Sequence, residues 1–366
     1  MPDFLPPDLQ AQRQQVADLA ATVLVPLRDD PLLTPDCRAA QVRAVSQAAG
    51  LYALTQTEAA PELTLLVLRE TLAQHGVGHL PGLFGASAGV LQGVAEPLRS
   101  SHLLPMLAGD KHTAFAFTEP ADAPRATWAR VDGEHLVVTG RKSYVTGGAD
   151  AQFLTVLVEI DGQGPAMVVI DTHTPGVTLT RRFTSLDGSH HAAFAFEQAR
   201  VPRHHAIGAP GDGRGRALAK ISALRRAIAA DCVGTMAGVI DLVAHELQRE
   251  RRGGARAASE RVRLRYGELR IQAYAVRATV YRTARLVDAG LDAVNESIAA
   301  KVLATEAANQ AVDTAIQLVG GEALVDGHPL AAALRRLRVL RLAEGETDTL
   351  RVNVARGHLD LGKGRL

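Results

Sequence analysis

From residue 8 to about 112, apolar positions recur every three or four residues. "LQAQRQQVADLAATVLVPL" has this spacing, and "PELTLLVLRETLAQHG" repeats it before a glycine suited to a helix end. Proline and glycine divide the region into short helices. Between about 113 and 205 the pattern changes to short runs of Val, Thr, Phe and Ala, split by turn signals such as "VDGEH", "EIDGQGP" and "SLDGSH". The runs "HLVVTGRKSYVT", "AQFLTVLVEI", "AMVVIDTH", "GVTLTRRF" and "AAFAFEQARV" predict strands of a small antiparallel sheet or barrel. The helical period returns after "VPRHHAIGAPGDGRG". Leu218, Ile221, Leu224, Ile228, Cys232, Met236, Val239 and Val243 follow one face of a helix reaching about Arg252. Further helical stretches span roughly 259–288, 291–317 and 329–357, and four long helices in succession predict an antiparallel bundle. The fold class is mainly α with inserted β: an N-terminal helical domain (1–112), a middle antiparallel β domain (113–205) and a C-terminal four-helix bundle (206–366).

Composition narrows the chemistry. The 366 residues are 47% hydrophobic, enough for a large core, and 40 basic against 39 acidic residues leave a formal charge of +1. No global field draws the chain to nucleic acid or a membrane, so any anion is bound locally. Cys37 and Cys232 stand far apart and offer neither a disulfide framework nor a metal-ligand cluster. "MPDFLPPDLQAQ" lacks a basic n-region and an apolar h-region, and we expect neither export nor a membrane span but a cytoplasmic protein.

Candidate chemistry concentrates near the C-terminus. "RLAEGETDTL" places Glu344, Glu346 and Asp348 just after "LRRLRVLR". Acids at the start of a helix, favoured by its dipole, would explain them. A catalytic base is the sharper reading. The arginine stripe Arg335, Arg336, Arg338 and Arg341 lacks the interleaved aromatics of a nucleic-acid surface. "SHH" (189–191) reads as exposed turn histidines with no third ligand, and "GDGRG" does not open a βαβ unit.

Five motifs stand in one order and roughly one spacing: "AFAFTEP" (114–120), "GRKSYVTGGADAQF" (140–153), "VPRHHAIG" (201–208), "QLVGG" (317–321) and "AEG" (343–345). With them the chain resembles an acyl-CoA dehydrogenase over nearly its whole length, faintly before residue 95. The resemblance implies that a carboxylate removes the α-proton of an acyl-CoA thioester while the β-hydride passes to flavin N5 of FAD, leaving a trans-2-enoyl product. A carbon acid is a poor proton donor, so such a base must be desolvated and the thioester oxygen must receive hydrogen bonds. Glu344 matches the family's base. Relatives that carry the base on the first bundle helix place it where this chain has Leu224, and Arg225 matches an arginine near the base, a supporting contact for substrate. Phe117, Thr118, Tyr144 and Thr146 match residues beside the flavin ring, although an alternating strand core would use the same residue types. Arg251, Gln317, Gly320 and Gly321 match residues that complete the flavin site across a subunit boundary. "RERRGGAR" also reads as a solvated charge run, and two glycines closing an apolar helix also read as its C-cap.

Departures accompany these matches. The family's Gly/Ser-rich phosphate loop is replaced by "ADAPRAT" (121–127), about four residues shorter between Thr118 and Gly140, and Pro124 offers no amide. Arg125 is a candidate compensating contact to phosphate. Gly254 stands where a phenylalanine belongs, and Glu346 and Asp348 replace uncharged residues that hydrogen-bond the dinucleotide. Ionised carboxylates repel phosphate, so either Arg335 and its neighbours neutralise them or the dinucleotide lies differently. Two readings follow: an FAD enzyme, a homotetramer or dimer passing electrons to an electron-transfer acceptor, or a flavin-poor subunit completing a partner's site in a hetero-oligomer.

Overall fold

Thr34 and Pro35 show how local chemistry starts the helices. The threonine hydroxyl accepts the Cys37 N–H at 3.2 Å, and the proline occupies the first turn, where its missing N–H costs nothing. A computed structural model describes residues 5–56, 60–249 and 256–365. In chain order it contains α1 (Pro7–Leu19), α2 (Val25–Asp29), α3 (Pro35–Ala48), α4 (Glu62–Gln74) and α5 (Leu104–Ala108). Eight strands follow: β1 (Thr113–Ala116), β2 (Trp128–Asp132), β3 (His135–Thr146), β4 (Phe153–Ile160), β5 (Gly164–Asp171), β6 (Val177–Thr184), β7 (His190–Pro202) and β8 (Ala206–Ile207). Then come α6 (Gly213–Gln248), α7 (Glu260–Asp288), α8 (Val294–Val319), α9 (Pro329–Leu340) and α10 (Thr347–Leu359). The chain forms two compact units, one of Met1–Phe84 with Ser222–Leu366 and one of Gly85–Ile221.

In the first unit α4 is buried on two sides. Leu66 and Val67 join the core of α6, α7 and α8, while Leu68 and Leu72 join Val16, Leu24 and Val42 from the N-terminal helices. Gly234 and Gly238, one turn apart on α6, allow α4 to approach closely: a Cβ on them would stand 2.1 Å from the Glu70 carbonyl and 2.3 Å from that of Gln74. Buried alanines at 300, 304, 308, 311 and 315 give α8 the slim profile of a central bundle helix. By length and composition α6 is apolar enough to cross a membrane, and Cys232, Met236, Val239 and Val243 bury its face in the bundle core. Its early turns differ from the expected stripe, since Leu218 and Leu224 are exposed. The predicted helix over 329–357 is broken between α9 and α10, where Glu344 and Gly345 take left-handed φ of 53° and 110°. The unbroken apolar period on either side conceals that break.

In the second unit the strands form one sheet of order β6-β7-β3-β2-β4-β5-β8, with β1 also on β4. Most pairs are antiparallel, but β1 and β2 each run parallel to β4. The β2–β3 hairpin intervenes between β1 and β4, and a connection of that length permits the parallel pairing that turn signals cannot announce. One face buries Leu136, Val138, Leu154, Val156, Phe194 and Phe196; the other packs Phe153, Met167 and Val169 on Leu91, Leu98 and Met106. Along β3 the register against β7 shifts between Lys142 and Val145. Tyr144 sits in that bulge with a φ of 50°.

Candidate active site

The bulge re-aims side chains. Tyr144 and Thr146 both face outward, the tyrosine ring 64% exposed, while Val145 between them is buried. The segment after β1 is tied to the same place. The Ser143 N–H donates to the Thr118 carbonyl at 2.8 Å, and Lys142, almost wholly buried, donates to the Phe117 carbonyl at 3.1 Å and to Glu119 at 2.8 Å. Glu119 also accepts the Thr127 N–H at 2.7 Å, and burial lowers the Lys142 ammonium from its ordinary value against the pull of that carboxylate. Phe117, Thr118, Tyr144 and Thr146 are therefore gathered at one edge. His191, expected as an exposed turn residue, is instead buried at the start of β7: Nδ1 lies 3.1 Å from the Thr146 hydroxyl and Nε2 3.0 Å from that of Ser189. Desolvation lowers its pKa and keeps the ring neutral. The only sequence signal was that the β7 alternation extends back through it.

The charged groups of the "ADAPRAT" stretch find partners outside it. Arg125 lies over the Trp128 ring at 4.4 Å and 3.8 Å from Asp161, and Asp122 pairs with Arg141 at 3.2 Å.

In the first unit, half-buried Glu344 occupies the α9–α10 turn. Arg225, 8% exposed on α6, donates Nε to the Glu344 carbonyl at 2.9 Å. Burial lowers the guanidinium from its ordinary value, and the Glu344 charge opposes that shift. Lys301 of α8 donates Nζ to the carbonyls of Gly345 (2.8 Å) and Arg341 (3.2 Å). Glu306 accepts from the Thr347 hydroxyl at 2.9 Å and from Arg341 at 3.1 Å. Sequence reasoning missed Lys301 and Glu306 because both fall inside an apolar helical period.

Glu346 and Asp348 have local tasks. The Glu346 carboxylate caps α10, accepting the N–H groups of Asp348 and Thr349 at 2.8 and 2.9 Å, and Asp348 pairs with Arg351. Arg335, the expected neutralising group, pairs with Asp326 instead. Gln317, exposed, lies in the last turn of α8, and half-buried Gly320 and exposed Gly321 follow its end. Gln317 lies ~24 Å along that helix from Lys301 and the glycines lie beyond it, so one chain does not bring them to Glu344. Arg251 and Gly254 lie outside the described residues.

Two family models match this arrangement of sheet and C-terminal helices: acyl-CoA dehydrogenase, middle domain, over residues 114–199, and acyl-CoA dehydrogenase, C-terminal domain, over residues 211–359. The chain belongs to the acyl-CoA dehydrogenase family. Members are FAD-dependent oxidoreductases acting on CH–CH bonds, and the chain is an enzyme of that class. It is 29% identical over 273 residues to an acyl-CoA dehydrogenase of Bacillus subtilis (strain 168), covering 71% of this chain and 72% of the relative. Against the short-chain specific acyl-CoA dehydrogenase of Bos taurus mitochondria it is 27% identical over 379 residues, 97% of this chain and 90% of the relative. The crystal structure of an acyl-CoA dehydrogenase complexed with FAD from Bacillus anthracis superposes with a TM-score of 0.83 at 20% identity. That match covers 99% of this chain and 68% of the other and establishes likeness of fold.

Proposed function

We propose that the protein carries out FAD-dependent α,β-dehydrogenation of an acyl-CoA thioester to the trans-2-enoyl thioester, with Glu344 as base. The observation that carries this reading is the setting of Glu344: a half-buried carboxylate in a left-handed turn whose carbonyls are bound by Arg225 and Lys301. A non-glycine residue at positive φ is retained where surrounding contacts over-determine it, and such strain concentrates at functional sites.

An exposed aromatic ring beside outward hydroxyls, on a strand edge whose neighbours are buried, suits the isoalloxazine end of FAD. Tyr144, Thr146, Thr118 and the Phe117 backbone would hold it, and FAD would supply a two-electron acceptor. The chain's own part is positional. Buried Lys142 fixes the Phe117 carbonyl, and Arg225 and Lys301 fix the turn that presents Glu344. From that turn the carboxylate takes the α-proton. Exposed Gln317 and Gly321, with half-buried Gly320 between them, suit contact with the dinucleotide of a neighbouring copy, which favours a homodimer or tetramer. Reoxidation would then fall to an electron-transfer acceptor, and two unpaired cysteines suit a cytoplasmic setting.

A second reading is favoured by the phosphate end. In one unit the Asp348 and Thr349 amides are taken by Glu346, and in the other Arg125 lies against Trp128 and Asp161, so these groups already have partners of their own. A flavin-poor subunit of a hetero-oligomer would look this way. Flavin absorbance decides: the enzyme reading expects close to one flavin per chain in homogeneous protein, and colourless protein overturns it. Glu344→Gln is expected to keep its flavin and lose acyl-CoA oxidation by ~10²–10⁴-fold, since the amide keeps the shape but cannot accept the proton.

A further inference from the structure

Lys301 is a full charge where the sequence around it supplies methyl groups. Its neighbours on the buried side of α8 are Ile298, Ala300, Ala304 and Ala308, and its own exposure is 0%. An ammonium so placed is costly unless it is bonded and its charge is balanced. The carbonyls of Gly345 and Arg341 provide the bonds but no charge. We propose that Lys301 is a positioning residue that pins the Glu344 turn through those two carbonyls and whose charge keeps the Glu344 carboxylate ionised, ready as a base. This rests on the assignment of Glu344 above.

The charged and titratable groups around this turn come from three elements. From α6 come Cys232 and Arg225, from α8 Glu306, and from the α9–α10 segment Arg341, Glu344 and Glu346. Burial pushes the Cys232 thiol up, so it stays neutral. Glu306 is held by Thr347, Arg341 and Arg351, the last at 3.5 Å, and Glu346 is committed to the α10 amides. Arg225 is a second cation, which opposes protonation of Lys301. Desolvation, opposed by the Glu344 and Glu306 carboxylates, leaves Lys301 lowered to about 8. The attraction between the Lys301 ammonium and the Glu344 carboxylate is mutual, each charge favouring the other. A carboxylate covered by substrate loses water, which favours its protonated, inactive form. A buried cation bonded to the Gly345 carbonyl, next to Glu344 in the chain, counters that loss.

A lysine that merely capped the end of α9 would need its donors and not its charge. Lys301→Gln keeps an amide donor and removes the charge; Lys301→Met removes both; Lys301→Arg keeps the charge. The Glu344 midpoint is read from the acid limb of kcat/KM and, without turnover, from the protonated-carboxyl infrared band that Glu344→Gln abolishes. Both neutral variants are expected to move the midpoint up by about one pH unit, and Lys301→Arg to restore it. Hydrogen exchange across 341–346 is expected to quicken in the Met variant more than in the Gln variant. A wild-type midpoint in folded Lys301→Gln overturns the proposal. So does failure of the Gln variant to fold, since the charge would then serve stability alone. Normal turnover in Glu344→Gln is a separate failure, of the base assignment itself, and is recognisable because the infrared midpoint shift does not depend on catalysis.

Discussion

Lys142 and Lys301 share one arrangement at residue scale: a buried ammonium bonded to backbone carbonyls of a segment assigned to the site. A long side chain can reach from a rigid strand or helix to an irregular turn and hold it from within. The acids beside Glu344 are explained at the same scale. Donation from the Asp348 and Thr349 amides holds the Glu346 carboxyl below the usual carboxylate range. A carboxylate with a depressed folded pKa adds stability above its unfolded value, and that stability is lost as pH falls through the folded one. Glu346→Ala is therefore expected to lower Tm at pH 7, with the difference shrinking as pH falls below the unfolded glutamate value of ~4.3 and vanishing only below the depressed folded one. An equal Tm at pH 7 would contradict the cap. The sequence reading offers these acids a helix start, where Glu346 and Asp348 do stand at the start of α10, but it treats 329–357 as one helical stretch, so the side-chain cap at 346 escapes it. Glu344 itself was legible only through the family's motif order.

Elements were the more legible scale. A period near 3.6 places α1, α4, α7 and α8, and runs rich in Val, Thr, Phe and Ala place β3, β4 and β7, although α4 and β4 are buried on two sides. The exceptions are long-range. Parallel pairing of β1 and β2 with β4 depends on strands that no turn joins, and the β3 bulge that exposes Tyr144 and Thr146 depends on the register against β7. His191 was misplaced for the same reason. Helix contact gives a direct test. At Gly234 a methyl would meet the Glu70 carbonyl, a backbone atom that cannot rotate away. Gly234→Ala is expected to destabilise by about 1–3 kcal/mol, because the clash outweighs the gain in helix propensity. A thermal melt at or above wild type would show that α4 and α6 do not approach so closely.

On the scale of the whole molecule, a formal charge of +1 and a family-wide architecture leave function to a few placed groups. Phe117, Thr118, Tyr144 and Thr146 cluster within one unit, while Arg125, Glu346 and Asp348 each have local partners in their own unit. The central claim is that Glu344 takes the α-proton. Rapid anaerobic mixing of flavin-loaded protein with a panel of acyl-CoA thioesters of graded chain length, followed by flavin bleaching, tests it most directly. Wild type is expected to bleach with at least one thioester, and Glu344→Gln to bleach ~10²–10⁴-fold more slowly with its flavin still bound. Bleaching of the variant at the wild-type rate would contradict the account.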